Sequence, residues 1–148
     1  MKTRNINPDL RLIPYYPNYE TTLKWYQDLE LCKQVDNIDH PYSLDLLKAM
    51  YQFLNAHGEC FYIEYQGTLA GDVTLRNDNQ EISIVICRDF QNRHIGRKVI
   101  GEILSLAKEK NFSRVFAHIY PFNQQSRKMF LSAGFKQTDE EIFEYSFL

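Results

Sequence analysis

Four basic side chains stand at the predicted start of a helix, where positive charge is unfavourable. The segment "DFQNRHIGRKVIGEIL", residues 89–104, opens as a polar turn and becomes an apolar-periodic helix, with Arg93, His94, Arg97 and Lys98 at the junction. A helix N-terminus carries a partial positive charge and amides that lack internal acceptors. Each added cation costs about a few tenths of a kcal/mol there unless an anion offsets it. The cluster therefore indicates a phosphate-bearing ligand.

An apolar strand leads into this turn. The segment "EISIVIC", residues 81–87, is predicted to be central in a sheet and covered on both faces, because apolar residues dominate it. A strand that passes through a short turn into a helix presents helix amides to anions, and Gly96 would let a ligand approach the backbone closely. The alternative for the basic residues is an ordinary solvated helix face.

Two segments resemble a known family. "QNRHIG" resembles the acyl-CoA pyrophosphate loop of the GCN5-related N-acetyltransferases (GNAT), Gln/Arg-x-x-Gly-x-Gly/Ala, with His94 in place of the middle glycine. "NQQSRKMFLSAGF" resembles the second segment on the CoA side of that family. The positions that match this second segment are Asn123, Ser126, Phe130, Gly134 and Phe135.

The resemblance implies a mixed α/β fold and acetyl-CoA as cosubstrate. About four helices would flank a central mixed sheet, splayed between the fourth and fifth predicted strands, "EISIVIC" and "RVFAHIY". The pantetheine arm would lie in the gap, paired with main-chain groups, and the loop amides would hold the pyrophosphate. The implied CoA-binding residues are Ile84, Ile86, Gln91, Asn92, Arg93, His94, Ile95, Gly96, Arg97, Asn123, Ser126 and Phe130.

Acetyl transfer to an amine needs a group that accepts a proton, because a free alkylammonium has a pKa near ~10. His118 stands where some members of the family carry a catalytic carboxylate, and an imidazole suits this task at neutral pH. Glu81 is the second candidate base. Phe130 occupies the place of the usual tyrosine acid, so Tyr120 is the candidate acid. Each residue also has a purely structural alternative. His118 would be bonded to a backbone carbonyl, Glu81 would be an ordinary carboxylate at a turn, and Tyr120 would be a half-exposed aromatic side chain at a strand end.

The other elements follow from periodicity and from turn residues. Asn18, Ser43 and Asn123 are predicted helix caps, and Gly134 ends the last helix. The predicted elements are a strand at 10–17, helices at 18–35 and 43–58, three strands within 60–87, a helix at 94–110, a strand at 113–120, a helix at 123–134 and one or two strands at 136–148.

Composition narrows the class of protein. The length of 148 residues predicts one domain, 1–148, and 44% hydrophobic residues can fill its core. The net charge of −2 gives no reason to expect nucleic acid or an anionic membrane as partner. Cys32, Cys60 and Cys87 form no metal-binding pattern, and their sparse, odd number suits a reducing cytoplasm. No signal peptide, membrane span or metal site is expected, and monomer and homodimer both stay open.

The sequence thus predicts an acetyl-CoA-dependent N-acetyltransferase acting on a primary amine of a small molecule or of a peptide or protein. The acceptor is expected over the first two helices and the C-terminal strands, which carry aromatic and acidic residues. One alternative is a non-catalytic acyl-CoA-binding regulatory module, which Phe130 favours slightly. A nucleic-acid binder using the 88–98 cluster is disfavoured by the acidic total.

Overall fold

The computed structural model describes residues 1–148, which form eight strands and five α-helices. The elements are β1 (Arg4–Asn7), β2 (Leu10–Pro14), α1 (Tyr19–Trp25), α2 (Leu29–Asp36), α3 (Leu44–His57), β3 (Gly58–Tyr65), β4 (Thr68–Arg76), β5 (Ile82–Ile86), a 3₁₀ turn (Arg88–Phe90), α4 (Ile95–Glu109), β6 (Arg114–His118), α5 (Gln124–Ser132), β7 (Lys136–Gln137) and β8 (Ile142–Ser146).

The strands form two antiparallel sheets. Five strands are arranged in the order β1-β2-β3-β4-β5, and three in the order β6-β8-β7. One parallel bridge, between Glu81 and Phe116, joins the two sheets, and β5 and β6 share no other ladder pair. The predicted mixed α/β fold is confirmed. The gap lies between β5 and β6, the two strands that were predicted to splay.

The two faces of the larger sheet are covered by different helices. On one face, α4 and Phe130 of α5 pack in a cluster of 20 buried residues, named here the aliphatic core. On the other face, α1, α2 and α3 pack in a cluster of 11 buried residues, named here the tyrosine cluster, which holds Tyr26, Tyr42, Tyr51 and Tyr62. Successive side chains of one strand contribute alternately to the two clusters, since they point to opposite faces of the sheet.

The segment predicted as one helix, 18–35, forms two. Asn18 caps α1 as expected, but the helix ends at Trp25. Asp28 then caps α2 by accepting from the backbone N–H groups of Glu30 and Leu31. Apolar periodicity continues across the break, so it did not reveal that a capping aspartate restarts the helix.

Two strand predictions also need correction. The first strand was missed: β1, "RNIN", is polar and short, and pairs with β2 as a hairpin at the sheet edge. The strand β5 lies at the open edge of the five-stranded sheet and not inside it. Its side chains are apolar because both helical layers still cover its two faces, although one backbone edge is free.

Candidate functional site

A cavity of about 460 Å³ lies beside the free edge of β5. It is bounded by that edge, the loop before α4, one face of α5 and one side of α2. Ten of the twelve predicted CoA-binding residues line it. They are Ile84, Ile86, Gln91, Asn92, His94, Ile95, Gly96, Arg97, Asn123 and Ser126.

The loop before α4 leaves its backbone amides without acceptors in the chain. Asn92 and His94 both adopt φ of 62°, in the left-handed region. His94 is the N-cap of α4, but its side chain caps no amide. The six consecutive backbone N–H groups of residues 92–97 donate to no acceptor within the chain. Successive free amides at such a turn form an anion-binding concavity.

The basic residues at this helix start are also unpaired. Arg93, His94, Arg97 and Lys98 form no ion pair within the chain. The guanidinium of Arg93 lies 5.3 Å from the ring centroid of Phe90. The charges of Arg93, Arg97 and Lys98 therefore add to the helix dipole and are not neutralised by an ion pair within the chain.

Arg88 differs from these residues, although it belongs to the same basic stretch of sequence. Its guanidinium forms two 2.7 Å hydrogen bonds with the Asp28 carboxylate and one of 2.8 Å with Glu30. These carboxylates raise the pKa of Arg88. Arg88 thus ties the chain beyond β5 to α2 and does not contribute a free charge to the site.

The free edge of β5 presents main-chain groups to the gap. Cys87 N–H donates to Ala70, and Arg76 N–H donates to Glu81, so the odd-numbered residues of this strand pair with β4. In an antiparallel pair the even-numbered ones then face away. The carbonyl of Ile86 accepts from Gln91 Nε2 at 2.9 Å, which fastens the loop to the strand. Ile84 leaves its main-chain groups available.

Helix α5 forms the opposite wall. Asn123 caps it by accepting from the Ser126 N–H at 3.2 Å, and its Nδ2 donates to the Gln34 carbonyl of α2 at 3.5 Å. A Cβ built on Gly96 would collide with Met129 Sδ. The missing side chain of Gly96 therefore lets α4 and α5 pack closely. From the sequence we expected only that it would let a ligand approach the backbone.

Two predicted CoA contacts lie elsewhere. Arg93 is exposed beside the cavity and is not part of its lining. Phe130 is 2% exposed and packs edge-on against Phe135, with 5.0 Å between ring centroids, in the aliphatic core. The cavity lining therefore does not include the ring at the position of the family's usual tyrosine.

The three catalytic candidates occupy two places, neither in the cavity lining. His118 Nε2 lies 2.7 Å from Glu141 Oε1, and its ring packs on Tyr120 with 5.0 Å between centroids. Burial, and then the charges of Asp36 and Glu141, raise the pKa of Tyr120, so its phenol keeps its proton. Glu81 lies at the closed end of the gap, in the bridge with Phe116. His118 is thus bonded to a carboxylate and not to a backbone carbonyl.

Sequence reasoning missed several residues of the cavity wall. Leu31 and Val35 of α2 were read only as apolar helix residues, and their i,i+4 spacing was the available signal. On α5, two pairs with the same i,i+4 spacing, Gln125 with Met129 and Lys128 with Ser132, extend the cavity wall beyond Asn123. The missed lining residues are Leu31, Gln34, Val35, Val85, Phe90, Gln125, Lys128, Met129 and Ser132.

A buried carboxylate was missed as well. Asp72 of β4 is 2% exposed. The hydroxyls of Tyr26 and Tyr51 donate to its Oδ2 at 2.7 and 2.8 Å, whereas Oδ1 accepts no hydrogen bond from the chain. Burial raises the pKa of Asp72 to about 6, and the two tyrosine donors offset this only partly. The signal in the sequence was a charge inside the apolar run "LAGDVTL".

No helix has the length and apolar character needed to cross a membrane. No three His, Cys, Asp or Glu side chains come close enough together to hold a metal ion.

Comparison with known proteins gives matches over most of the chain. The model of a family described as the acetyltransferase (GNAT) family matches residues 22–135. An uncharacterized protein of Methanocaldococcus jannaschii is 38% identical over 65 residues, which are 43% of this chain and 13% of that protein. This chain therefore spans only a small part of that relative's length.

Solved structures share the fold. An acetyltransferase from Salmonella typhimurium, described as modifying the N-terminal serine of ribosomal protein L7/L12, superimposes with a TM-score of 0.79 at 12% identity, over 99% of each chain. Spermidine N-acetyltransferase from Vibrio cholerae, solved with CoA and spermine, gives 0.76 at 17% identity over 93% of this chain and 94% of that one.

Proposed function

The chain belongs to the GNAT acetyltransferase family, which uses acetyl-CoA, and we propose that it transfers the acetyl group to a primary amine. The acceptors named for the two similar structures, spermidine and an N-terminal serine, are both amines. For this chain the proposed acceptor is a primary amine of a small molecule or of a peptide or protein.

One observation carries the proposal. Six consecutive amides without acceptors lie at the mouth of a cavity whose other wall is an unpaired strand edge. The amides of residues 92–97, with Arg97 beside them, suit a pyrophosphate. The free main-chain groups of Ile84 suit an extended amide-containing arm, which would bind as an added strand. The donor set therefore fits acetyl-CoA.

The chain's own groups then have distinct tasks. His118 is the proposed acceptor of the amine proton, and Glu141, across the strand pair, holds its imidazole. Tyr120 is the proposed donor to the leaving sulfur, because its raised pKa keeps the phenol protonated. Glu81 remains the second candidate base, although it lies at the closed end of the gap.

A direct test measures thiol release from acetyl-CoA in the presence of n-butylamine, spermidine and a peptide with a free N-terminus. We expect amine-dependent release of thiol, and thermal stabilisation by CoA alone. Ligand at about 100 times its dissociation constant adds ~2.7 kcal/mol to the free energy of unfolding. Stabilisation without thiol release would favour the regulatory module, and no stabilisation at millimolar CoA would refute the proposal.

A pair of glycine variants tests the loop. Gly96→Glu should abolish CoA stabilisation, because the side chain displaces Met129 and adds negative charge at the anion site. Gly101→Glu is the matched control, since a Cβ at Gly101 on the same helix meets no atom within 4 Å. Equal CoA stabilisation of both variants would argue against this loop as the binding site.

A further inference from the structure

The histidine before α4 lies in a backbone conformation that glycine adopts most easily. His94 has φ of 62° and ψ of 14°, in the left-handed region. The GNAT loop pattern has a glycine at this position, and a glycine has no Cβ to oppose that conformation. This chain therefore places an imidazole among the free amides of residues 92–97, where the family pattern places no side chain.

The imidazole of His94 has no partner within the chain. The rings of His40 and His57 each hydrogen-bond to a backbone carbonyl, and that of His118 to a carboxylate. His94 caps no amide of α4 and takes part in no ion pair. It is exposed and lines the cavity. Both ring nitrogens are therefore available to a ligand in the cavity.

Only basic charge accompanies His94 in the cavity wall. The lining contains no carboxylate, and neither β5 nor α2 contributes a charged side chain to it. The carboxylate of the preceding 3₁₀ turn, Asp89, is exposed and lies outside the lining. The charged side chains of the loop, of the first turn of α4 and of the cavity face of α5 are Arg93, Arg97, Lys98 and Lys128. An imidazolium in this wall thus obtains a negative partner only from a bound anion.

We propose that His94 binds a phosphate oxygen of the cosubstrate as the imidazolium, so that binding of CoA takes up a proton. The amides of residues 92–97 hold the pyrophosphate, and the ring adds one charge-assisted hydrogen bond that requires its protonated form. An imidazole titrates near pH ~6.5 when unperturbed, so this contact is present in mildly acidic solution and is lost as the pH rises. This inference rests on the proposed function and names a residue that regulates its cosubstrate site.

Binding is measured by isothermal titration calorimetry on the full chain, with dephospho-CoA and with CoA. The 3′-phosphate of CoA itself titrates near pH ~6, whereas dephospho-CoA lacks that group, so its pH dependence reports on the protein. We expect its dissociation constant to rise on the order of 10-fold between pH 5.5 and pH 8.5. Buffers of different ionisation enthalpy should show net proton uptake at pH 7. A dissociation constant that does not change with pH, or binding without proton uptake, would overturn the inference.

Two variants assign the proton to this ring. His94→Gln keeps a polar side chain that cannot titrate, so its affinity for dephospho-CoA at pH 5.5 should fall to the level that wild type has at pH 8.5. His94→Gly suits the left-handed backbone, so it should bind as tightly as wild type at pH 8.5 and gain nothing at low pH. His40→Gln is the matched control, because His40 is exposed and bonds only to the Pro41 carbonyl. Wild-type pH dependence in either His94 variant would contradict the assignment.

Kinetics separate this inference from the proposed function. The acetyl-CoA KM of wild type should rise with pH, and that of His94→Gln should not, whereas kcat and the KM of n-butylamine should be equal in the two proteins. Amine-dependent thiol release with the same pH dependence of the acetyl-CoA KM in both would refute the role of His94 and leave the acetyltransferase intact. Proton uptake that depends on His94, without turnover of any amine, would refute the proposed function and support the site.

Discussion

The two faces of the larger sheet are built from different chemistry. The aliphatic core beneath α4 holds 20 buried residues, which are aliphatic side chains and phenylalanines without a tyrosine. The tyrosine cluster on the other face holds four buried tyrosines and all three cysteines, and it surrounds Asp72. Aliphatic burial is stabilising at any pH, whereas a buried carboxylate makes stability depend on pH. Both faces bury apolar residues, but only the tyrosine cluster surrounds a carboxylate whose titration changes the stability of the fold.

The largest effect should follow a change on the acceptor side. His118→Ala should lower turnover by about 10²–10⁴-fold, the usual contribution of a general base. Stabilisation by CoA should not change, since His118 is outside the cavity lining. His40→Ala is the control, because His40 is exposed and bonds only to its neighbour's carbonyl. Full activity of His118→Ala with the wild-type pH profile would transfer the role of base to Glu81 or to water.

A change in the aliphatic core should affect stability alone. Ile103→Ala, at a fully buried position of α4, should lower the free energy of unfolding by about 2–5 kcal/mol. Urea unfolding should give the same loss at pH 5 and pH 7.5, because no titrating group is in that core. A loss that varies with pH would mean that the two faces are not independent.

In the tyrosine cluster, by contrast, the contribution to stability should depend on pH. The pKa of Asp72 is about 6 in the folded protein, above the value of ~3.9 for an unperturbed aspartate. The carboxyl therefore stabilises the fold below pH ~4, and this contribution is lost as the pH rises through 6. Two pK units correspond to about 3 kcal/mol.

The measurement is the difference in unfolding free energy between Asp72→Asn and wild type from pH 4 to pH 8. The difference should move in favour of the variant as the pH rises, by up to about 3 kcal/mol. Asp45→Asn should show no such trend. Parallel curves for Asp72→Asn and wild type would show that the carboxylate is not desolvated in solution.

The smallest effect concerns the helix that supports the cofactor side. Arg97→Gln should stabilise the ligand-free protein by about 0.3–1 kcal/mol, since it removes a cation from a helix N-terminus, and should weaken CoA binding by a similar amount. Lys108→Gln, in the last turn of the same helix, should be slightly destabilising and leave CoA binding unchanged. Thermal unfolding with and without CoA measures both; a loss of stability in ligand-free Arg97→Gln would contradict the dipole argument.

Much of the cofactor side could be predicted from sequence. Local chemistry specifies it: the apolar strand, the basic loop at a helix start and the capping asparagine of α5 can each be read from a short run of residues. The tyrosine cluster could not be assembled in this way, because Tyr26, Tyr51 and Asp72 lie far apart in the chain and meet only in the tertiary structure. Phe130 shows the same limit: its place in the motif was visible, but the direction of its ring was not.

The single bridge between Glu81 and Phe116 has a consequence for mechanical compliance. A continuous ladder would hold neighbouring strands about 4.8 Å apart at every rung. Here only one bridge joins the two sheets, so side-chain packing sets the width of the gap over most of its length. Widening the gap stretches van der Waals contacts and breaks no row of hydrogen bonds. The two sheets should therefore move apart more easily along this line than the strands within either sheet, which are held by their own ladders.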